Sequence, residues 1–237
     1  KEVINVYPDT LCWIHDFTYA DNDHMSNMYF WHPAYDEYPV VGVTWQQCNA
    51  FNVWRTQLLN SWRKSHMLPF VQDFRLPSET EWEYASRGGL DNNPYPWGGP
   101  YIRNSRGCFL GNFKPLRGRY MEDGGFHTVK ANSYHPNDFG LYCMSGNVAE
   151  WCRTAFDESV YEYGHDMNTE YIYHALDHDP PSMKRKVVRG GSWKDIGYYL
   201  QTGTRSYEYQ DTAKSYIGFR SVMNYLGRGG PNKEGDF

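Results

Sequence analysis

Between Gly89 and Trp151 the chain is interrupted every few residues by turn-forming clusters: DNNPYPWGGP, NSRGC, GNF, MEDGGF, YHPNDFGLY and SGNVAEW. Glycine supplies left-handed backbone, proline fixes φ, and Asn and Asp bond their own main chain, so such clusters mark turns and not long elements. A chain written this way folds as ordered coil wrapped round a few short helices and strands. Its core must lean on rings. Aromatic residues make up 18% of the 237 residues, with 21 Tyr, 12 Phe and 9 Trp, inside a hydrophobic total of 40%. That ring content argues against disorder despite a mean hydropathy of −0.76. A mass of 27.8 kDa suits one large domain or two small ones and is enough to bury a core without metals or disulfides.

Several classes fall away. No apolar run approaches the roughly 18 residues of a membrane helix, and Val40-Val41-Gly42-Val43 is only strand-sized. No secretory hydrophobic segment follows Lys1, so the chain reads as mature, trimmed or cytosolic. A net charge of −5 without a Lys/Arg block gives nucleic acid no electrostatic footprint. The cysteines, Cys12, Cys48, Cys108, Cys143 and Cys152, are odd in number and lack zinc-type spacing. They read as buried thiols with at most a disulfide among them, and none follows Cys152.

Two helices announce themselves by their starts. Thr44 with Gln47, and Ser78 with Glu81, are capping boxes. The first predicts a helix over about 45–64, with Cys48, Phe51, Trp54, Leu58 and Trp62 as its apolar stripe. The second predicts a helix over 79–87, stopped by Gly88 or Gly89, with Trp82 and Ala85 as its stripe. Trp82 is expected beneath the VVRGGSW strand, against Trp193 or Phe219. VVRGGSW and YIGFRSV read as glycine-interrupted strands, INVYPDTLCWIHDF as holding a short strand, and the first forty residues as a packed connecting segment. The fold class is α+β: two or three helices on a small, mostly antiparallel sheet, in a single domain over 1–237 with a tail at 227–237.

Candidate chemistry is sparse. His174 and His178 are four apart, flanked by Asp177 and Asp179, but Pro180-Pro181 follows and a solvated loop is the reading. Glu79, Glu81 and Glu83 open a helix, where capping and the helix dipole account for them. Asn112 and Asp123 on tight loops suit either a hard cation or Asx-turns. Asn147 and Glu150 in GNVAEW read as polar staples of a buried loop, with an oxygen ligand at Glu150 as the alternative.

RLPSETEWEYASRGG, YPWGG, DFGLYCMSGNVAEW, VVRGGSW and YIGFRSV, in this order over about 38–223, resemble the formylglycine-generating-enzyme (sulfatase-modifying factor) domain family. The resemblance implies a loop-rich variant of the C-type-lectin-like fold. It also implies copper held by two cysteines, but Asp195 and Leu200 stand at those positions. A soft copper(I) ion needs thiolates, so the chain is expected to lack catalytic residues, copper and the family's oxidation of a substrate cysteine. The family's calcium ligands are matched by Asn112, Phe113, Asp123 and Phe126 at one site, and by Gly146, Val148 and Glu150 at a second, where Cys143 replaces an Asn.

Further segments, VYPDTLCWIHDFTY, YFWHPAYDEYPVVGVTW, NFKPLRGRYMEDGGF, PPSMKRKVVRGGSWKDI and RSYEYQDTAKSYIGFR, resemble the GldK/PorK family of gliding-motility lipoproteins of the type IX secretion system, with the paralogous GldJ family as the alternative. That resemblance implies a non-enzymatic ring component on the periplasmic face of the outer membrane, in a Bacteroidetes-type bacterium, self-associating and paired with a GldN/PorN-type partner. The expected lipid anchor and the opening strand and helix of the domain are not in the sequence, so a trimmed chain or an upstream fragment is expected. The segment 153–186, with Tyr161, Tyr163, Tyr171 and Tyr173, reads as an interface loop or a plain insertion. Should a cleft with other chemistry persist, Asp195, Arg205, Glu208 and Asp211 are its expected polar groups.

Overall fold

The computed structural model describes residues 3–19, 23–116, 121, 125–164 and 170–225. At its centre lies a four-stranded sheet in the order β3-β2-β1-β4. It is formed by β1 (Ala149–Ala155), β2 (Arg185–Arg189), β3 (Ser206–Tyr209) and β4 (Ile217–Gly218). β1 and β2 are antiparallel with Trp151 opposite Val188, β2 and β3 are antiparallel with Lys186 opposite Glu208, and β1 and β4 run parallel. The sheet is thus mixed, with two of its three pairings antiparallel.

Both faces of the sheet are covered, which is why β1 is buried almost throughout instead of alternating. On one face Trp151 and Val188 pack with Trp45, Cys48, Leu76 and Ile217. Trp45 and Cys48 open α3 (Trp45–Ser65), whose capping box is present as expected. The indoles of Trp45 and Trp151 reach back to the carbonyls of Cys152 and Val43, at 2.9 and 3.1 Å. On the other face Cys152 and Val187 meet Trp82 of α4 (Glu79–Arg87). Gly88, at φ +61°, is the left-handed stop of α4.

Three expectations change. INVYPDTLCWIHDF holds no strand; it forms the one-turn helix α1 (Cys12–Asp16), followed by α2 (His24–Met28). Aromatic packing, not backbone pairing, fixes this segment: Trp13 is buried and stacks on Trp193 at 5.7 Å. The stripe of α3 is not a core face. Its buried residues are Trp45, Cys48, Asn52 and Thr56, whereas Trp54 and Trp62 are each 52% exposed and Leu58 55%. Asn52 accepts from Ser221 and Thr56 from the Phe74 amide, so polar side chains seat the second half of the helix. Finally, Trp82 meets neither Trp193 nor Phe219; those rings belong to other clusters.

The loop between β1 and β2 carries the one-turn helix α5 (Val160–Tyr163) and a short 3-10 turn at Pro181–Lys184. Arg153 and Lys186, at the expected edges of the insertion, are strand residues. The tail at 227–237 lies outside the described residues.

Candidate functional site

The GNVAEW loop feeds β1 and is pinned from below. Gly146 and Asn147 both take left-handed backbone, φ +84° and +74°. The Gly146 amide donates to Gly190 O at 2.9 Å and the Asn147 amide to Asn112 O at 2.8 Å. A side chain at Gly146 would run into the Asn112 main chain, so glycine is required there. Asn147 closes a two-bond clasp with Val129: its Oδ1 accepts from the Val129 amide at 2.9 Å and its Nδ2 donates to the Val129 carbonyl at 3.1 Å. The staple reading holds for Asn147.

It holds for Glu150 as well. Its carboxylate accepts from Trp82 Nε1 at 2.8 Å, from Arg220 Nε at 2.9 Å and from Arg220 Nη2 at 2.7 Å. Glu150 is buried, and Arg220 neutralises it. Cys143 sits nearby at φ +52°, donates its thiol to Ser133 O, and is pushed up to about 11, chiefly by burial. A calcium ion joining Gly146, Val148 and Glu150 would have to compete with a guanidinium already on the carboxylate and would find a thiol beside it. The second donor set does not fit a hard dication.

The first set is different in kind. Asn112 is buried and its Nδ2 donates to His127 O at 2.6 Å. Its Oδ1 is turned onto the backbone of Gly125, so close that no Cβ could stand there. Phe113 is buried against Phe109, Phe126 lies edge-on to His127, and Asp123 lies outside the described residues. The oxygen of Asn112 therefore faces Gly125, beside Phe126, an arrangement compatible with a small oxygen-loving cation. Among the described residues no group of three or more His, Cys, Asp or Glu is placed to hold a metal.

Asp195 and Leu200, which the sequence resemblance sets against copper-binding cysteines, each have another place in the structure. Asp195 folds back as a cap, its carboxylate accepting from the Ser192 amide at 2.9 Å and the Ser192 hydroxyl at 2.6 Å. Burial pushes its carboxyl up, against the pull of those two bonds. Leu200 is fully buried with Tyr95, Phe109 and Phe113. Arg205, Glu208 and Asp211 do not join Asp195. Arg205 binds Glu79 in a two-pronged contact at 2.6 and 2.8 Å, Glu208 turns to the Tyr209 amide on β3, and Asp211 is exposed. The expected cleft constellation is thus not assembled.

Sequence reasoning named the carboxylates of α4 but missed their ion pairs. Beyond capping, Glu79 and Glu83 hold the fully buried Arg189, and Glu79 also holds Arg205. Glu81 does cap, and it pairs with Arg75 through both oxygens at 2.6 Å, which holds its carboxyl down at about 2. His174 and His178 lie on an exposed loop, as expected. Of the four loop tyrosines, Tyr161 and Tyr163 are exposed, while Tyr173 donates to Asp179 at 2.9 Å and is half-buried.

Such a scaffold, with a tryptophan-lined sheet, left-handed glycine loops and the GNVAEW and RGGSW turns locked together, belongs to the sulfatase-modifying-factor family: residues 16–225 match the sulfatase-modifying factor enzyme 1-like domain. Its relatives include both inactive and active members. The chain is 34% identical over 191 residues to the inactive C-alpha-formylglycine-generating enzyme 2 of Bos taurus, covering 78% of this chain and 50% of the relative. It is 31% identical over 189 residues to the formylglycine-generating enzyme of Streptomyces coelicolor, covering 77% and 52%. The chain therefore spans about half the length of these relatives. Among solved structures, PvdO from Pseudomonas aeruginosa shares the fold with a TM-score of 0.60 at 22% identity, over 78% of this chain and 61% of that one. Treponema denticola variable protein 1 follows at 0.55 and 24%, over 79% and 71%.

Proposed function

We propose that this domain is a non-catalytic structural part of the type IX secretion and gliding machinery, of the GldK/PorK type, built on a formylglycine-generating-enzyme scaffold whose oxidase chemistry is gone. The observation that carries the loss of chemistry is the pair Asp195 and Leu200: the first caps its own turn, the second is core, and no cysteine follows Cys152 in the chain. Without thiolates at these two positions the ligand pair that the resemblance implies for copper(I) is missing. The inactive relative of Bos taurus gives the same scaffold a precedent without activity.

A structural role needs surface that binds. The exposed Trp54, Leu58 and Trp62 line one face of α3, and Tyr161 and Tyr163 stand out on α5. Large rings of this kind dominate protein interfaces. These two faces are the proposed contacts for the GldN/PorN-type partner and for self-association in a ring, with the protein held at the outer membrane, on its periplasmic face, by an N-terminal lipid. The GldJ-type reading, a paralogous lipoprotein of the same machinery on the same scaffold, is the alternative. One structural calcium at Asn112, Phe113, Asp123 and Phe126 belongs to the proposal; the site at Glu150 does not.

Two measurements test it. Incubation with copper and a sulfatase-motif peptide should leave the peptide cysteine unmodified by mass spectrometry; aldehyde formation refutes the loss of chemistry. Mass photometry of the full-length protein with a GldN/PorN-type partner should show large assemblies that Trp54→Glu or Tyr161→Glu disrupts. Unchanged single protomers in the presence of the partner refute the secretion reading.

A further inference from the structure

We propose that the cavity between α2 and Val40 is a binding site for an arginine side chain presented by a peptide. The cavity has a volume of about 270 Å3 and is walled by Tyr29, Trp31, His32, Tyr35, Asp36 and Tyr38. Neither the copper positions nor the calcium loops reach it.

Its walls are rings held in place before any ligand arrives. Trp31 is 66% exposed, yet its indole N–H donates to Asn27 O at 2.6 Å, so the ring is fixed although it faces solvent. The Tyr29 hydroxyl donates to Pro39 O at 2.5 Å. His32 Nδ1 accepts from the Ala34 amide at 3.1 Å, which leaves Nε2 to carry the proton in the neutral ring. Tyr35 packs on Tyr29 and on Tyr38 with ring centres 5.1 and 5.2 Å apart. A solvent-facing tryptophan pinned by its own N–H loses little further freedom on binding, and that is how a small site gains affinity.

Charge selects the ligand. Between Glu2 and Trp54 the sequence has seven carboxylates and no Lys or Arg. Lys194 is paired with Asp16 and Lys130 with Glu37, and these cations come from other segments. Asp36 is exposed at the mouth, and among the described residues its carboxylate has no ion-pair partner. Ring faces attract cations, and guanidinium both stacks flat on a ring and forks onto a carboxylate, which a compact ammonium does not. Trp31 with Asp36 offers both contacts.

The test is a ligand-observed NMR titration of the whole protein. The probes are the peptides acetyl-Gly-Arg-Gly-amide and acetyl-Gly-citrulline-Gly-amide, which have nearly the same shape with and without the charge, and tetramethylammonium. The arginine peptide should bind with a dissociation constant of about 1 mM or below, and at least fivefold more tightly than the citrulline peptide. Asp36→Asn and Trp31→Leu change exposed side chains, so both variants should keep the wild-type melting temperature, and each should weaken the arginine peptide at least threefold. Equal binding of the arginine and citrulline peptides overturns the proposal, as does no effect of either variant. Tighter binding of tetramethylammonium than of the arginine peptide also overturns it, because the site would then be a cage for quaternary ammonium.

Discussion

Gly190 lies close against the Trp82 ring of α4, and adding one methyl there should be costly in a way that can be divided. Gly190 follows β2 at φ +92°, and a Cβ on it would lie 3.0 Å from Trp82 Cζ2, 3.3 Å from Trp82 Cη2 and 3.3 Å from Met144 O. Left-handed backbone costs an L-residue roughly 1–2 kcal/mol. Overpacking a rigid ring against main chain adds about 1–3 kcal/mol. Gly190→Ala should therefore lose about 2–5 kcal/mol in urea denaturation at unchanged slope. Trp82→Phe removes the two ring atoms that the new methyl would strike, leaving Met144 O, and it also deletes the 2.8 Å bond to Glu150. On its own Trp82→Phe should cost about 1.5–3 kcal/mol, the worth of a hydrogen bond to a charged group. In the Trp82→Phe background Gly190→Ala should keep its backbone part and its 3.3 Å approach to Met144 O but lose the clash with the ring, so the pair should couple by about 1–2 kcal/mol. Additivity within about 0.5 kcal/mol would show that Trp82 does not lie under Gly190 and that the described packing is wrong.

Four further outcomes are expected. Calorimetric titration should find a single calcium per chain; Asn112→Asp should keep it and Asn112→Ala should lose it, whereas two calcium ions would contradict the competition by Arg220. His127 lies in a ring of Trp13, Phe17 and Trp193, and burial lowers its pKa. The folded state then holds fewer protons than the unfolded one, so stability should fall as pH drops below about 6.5, and His127→Asn should flatten that slope. Burial lowers the fully buried Lys186 to about 8, where it bonds the Tyr173 carbonyl and lies 4.2 Å from the Trp45 ring. With the folded value below the unfolded one, stability should rise from pH 7.5 to 9, and Lys186→Met should abolish the rise. Cys108 is exposed while Cys12, Cys48 and Cys152 are buried with raised pKa, so a thiol reagent should label Cys108 rapidly and those three only on unfolding.

What could be read in advance was what is written locally. Both capping boxes and the Gly88 stop depend on residues a few positions apart, and each formed where expected. The clasp of Asn147 was legible as a polar staple because a buried Asn in a turn has few other uses. Which face of α3 would be buried was not legible, because it depends on where the sheet ends. Only the first turns of the helix lie over Trp151; farther on, Asn52 and Thr56 serve as inward-facing polar anchors while the larger apolar rings look outward. The partners of Glu79 escaped for a similar reason: Arg205 is 126 positions away, and no local pattern announces a contact of that span.

The docking of the first helical turns onto the last third of the chain also sets an order of events. Trp13 and Phe17 rest on Trp193, and Asp16 is held by Lys194 and Ser215, the lysine 178 positions downstream. A chain made at about 5–20 residues per second must wait roughly 10–35 s after its first helical turns appear before their seat exists. During that interval Trp13 can meet only Tyr29, Met25 and Val41 of its own segment, and the faces of Trp13 and Phe17 that Trp193 covers stay open. Nascent protein should therefore depend on a holding chaperone, and a copy truncated before Trp193 should aggregate through its first forty residues.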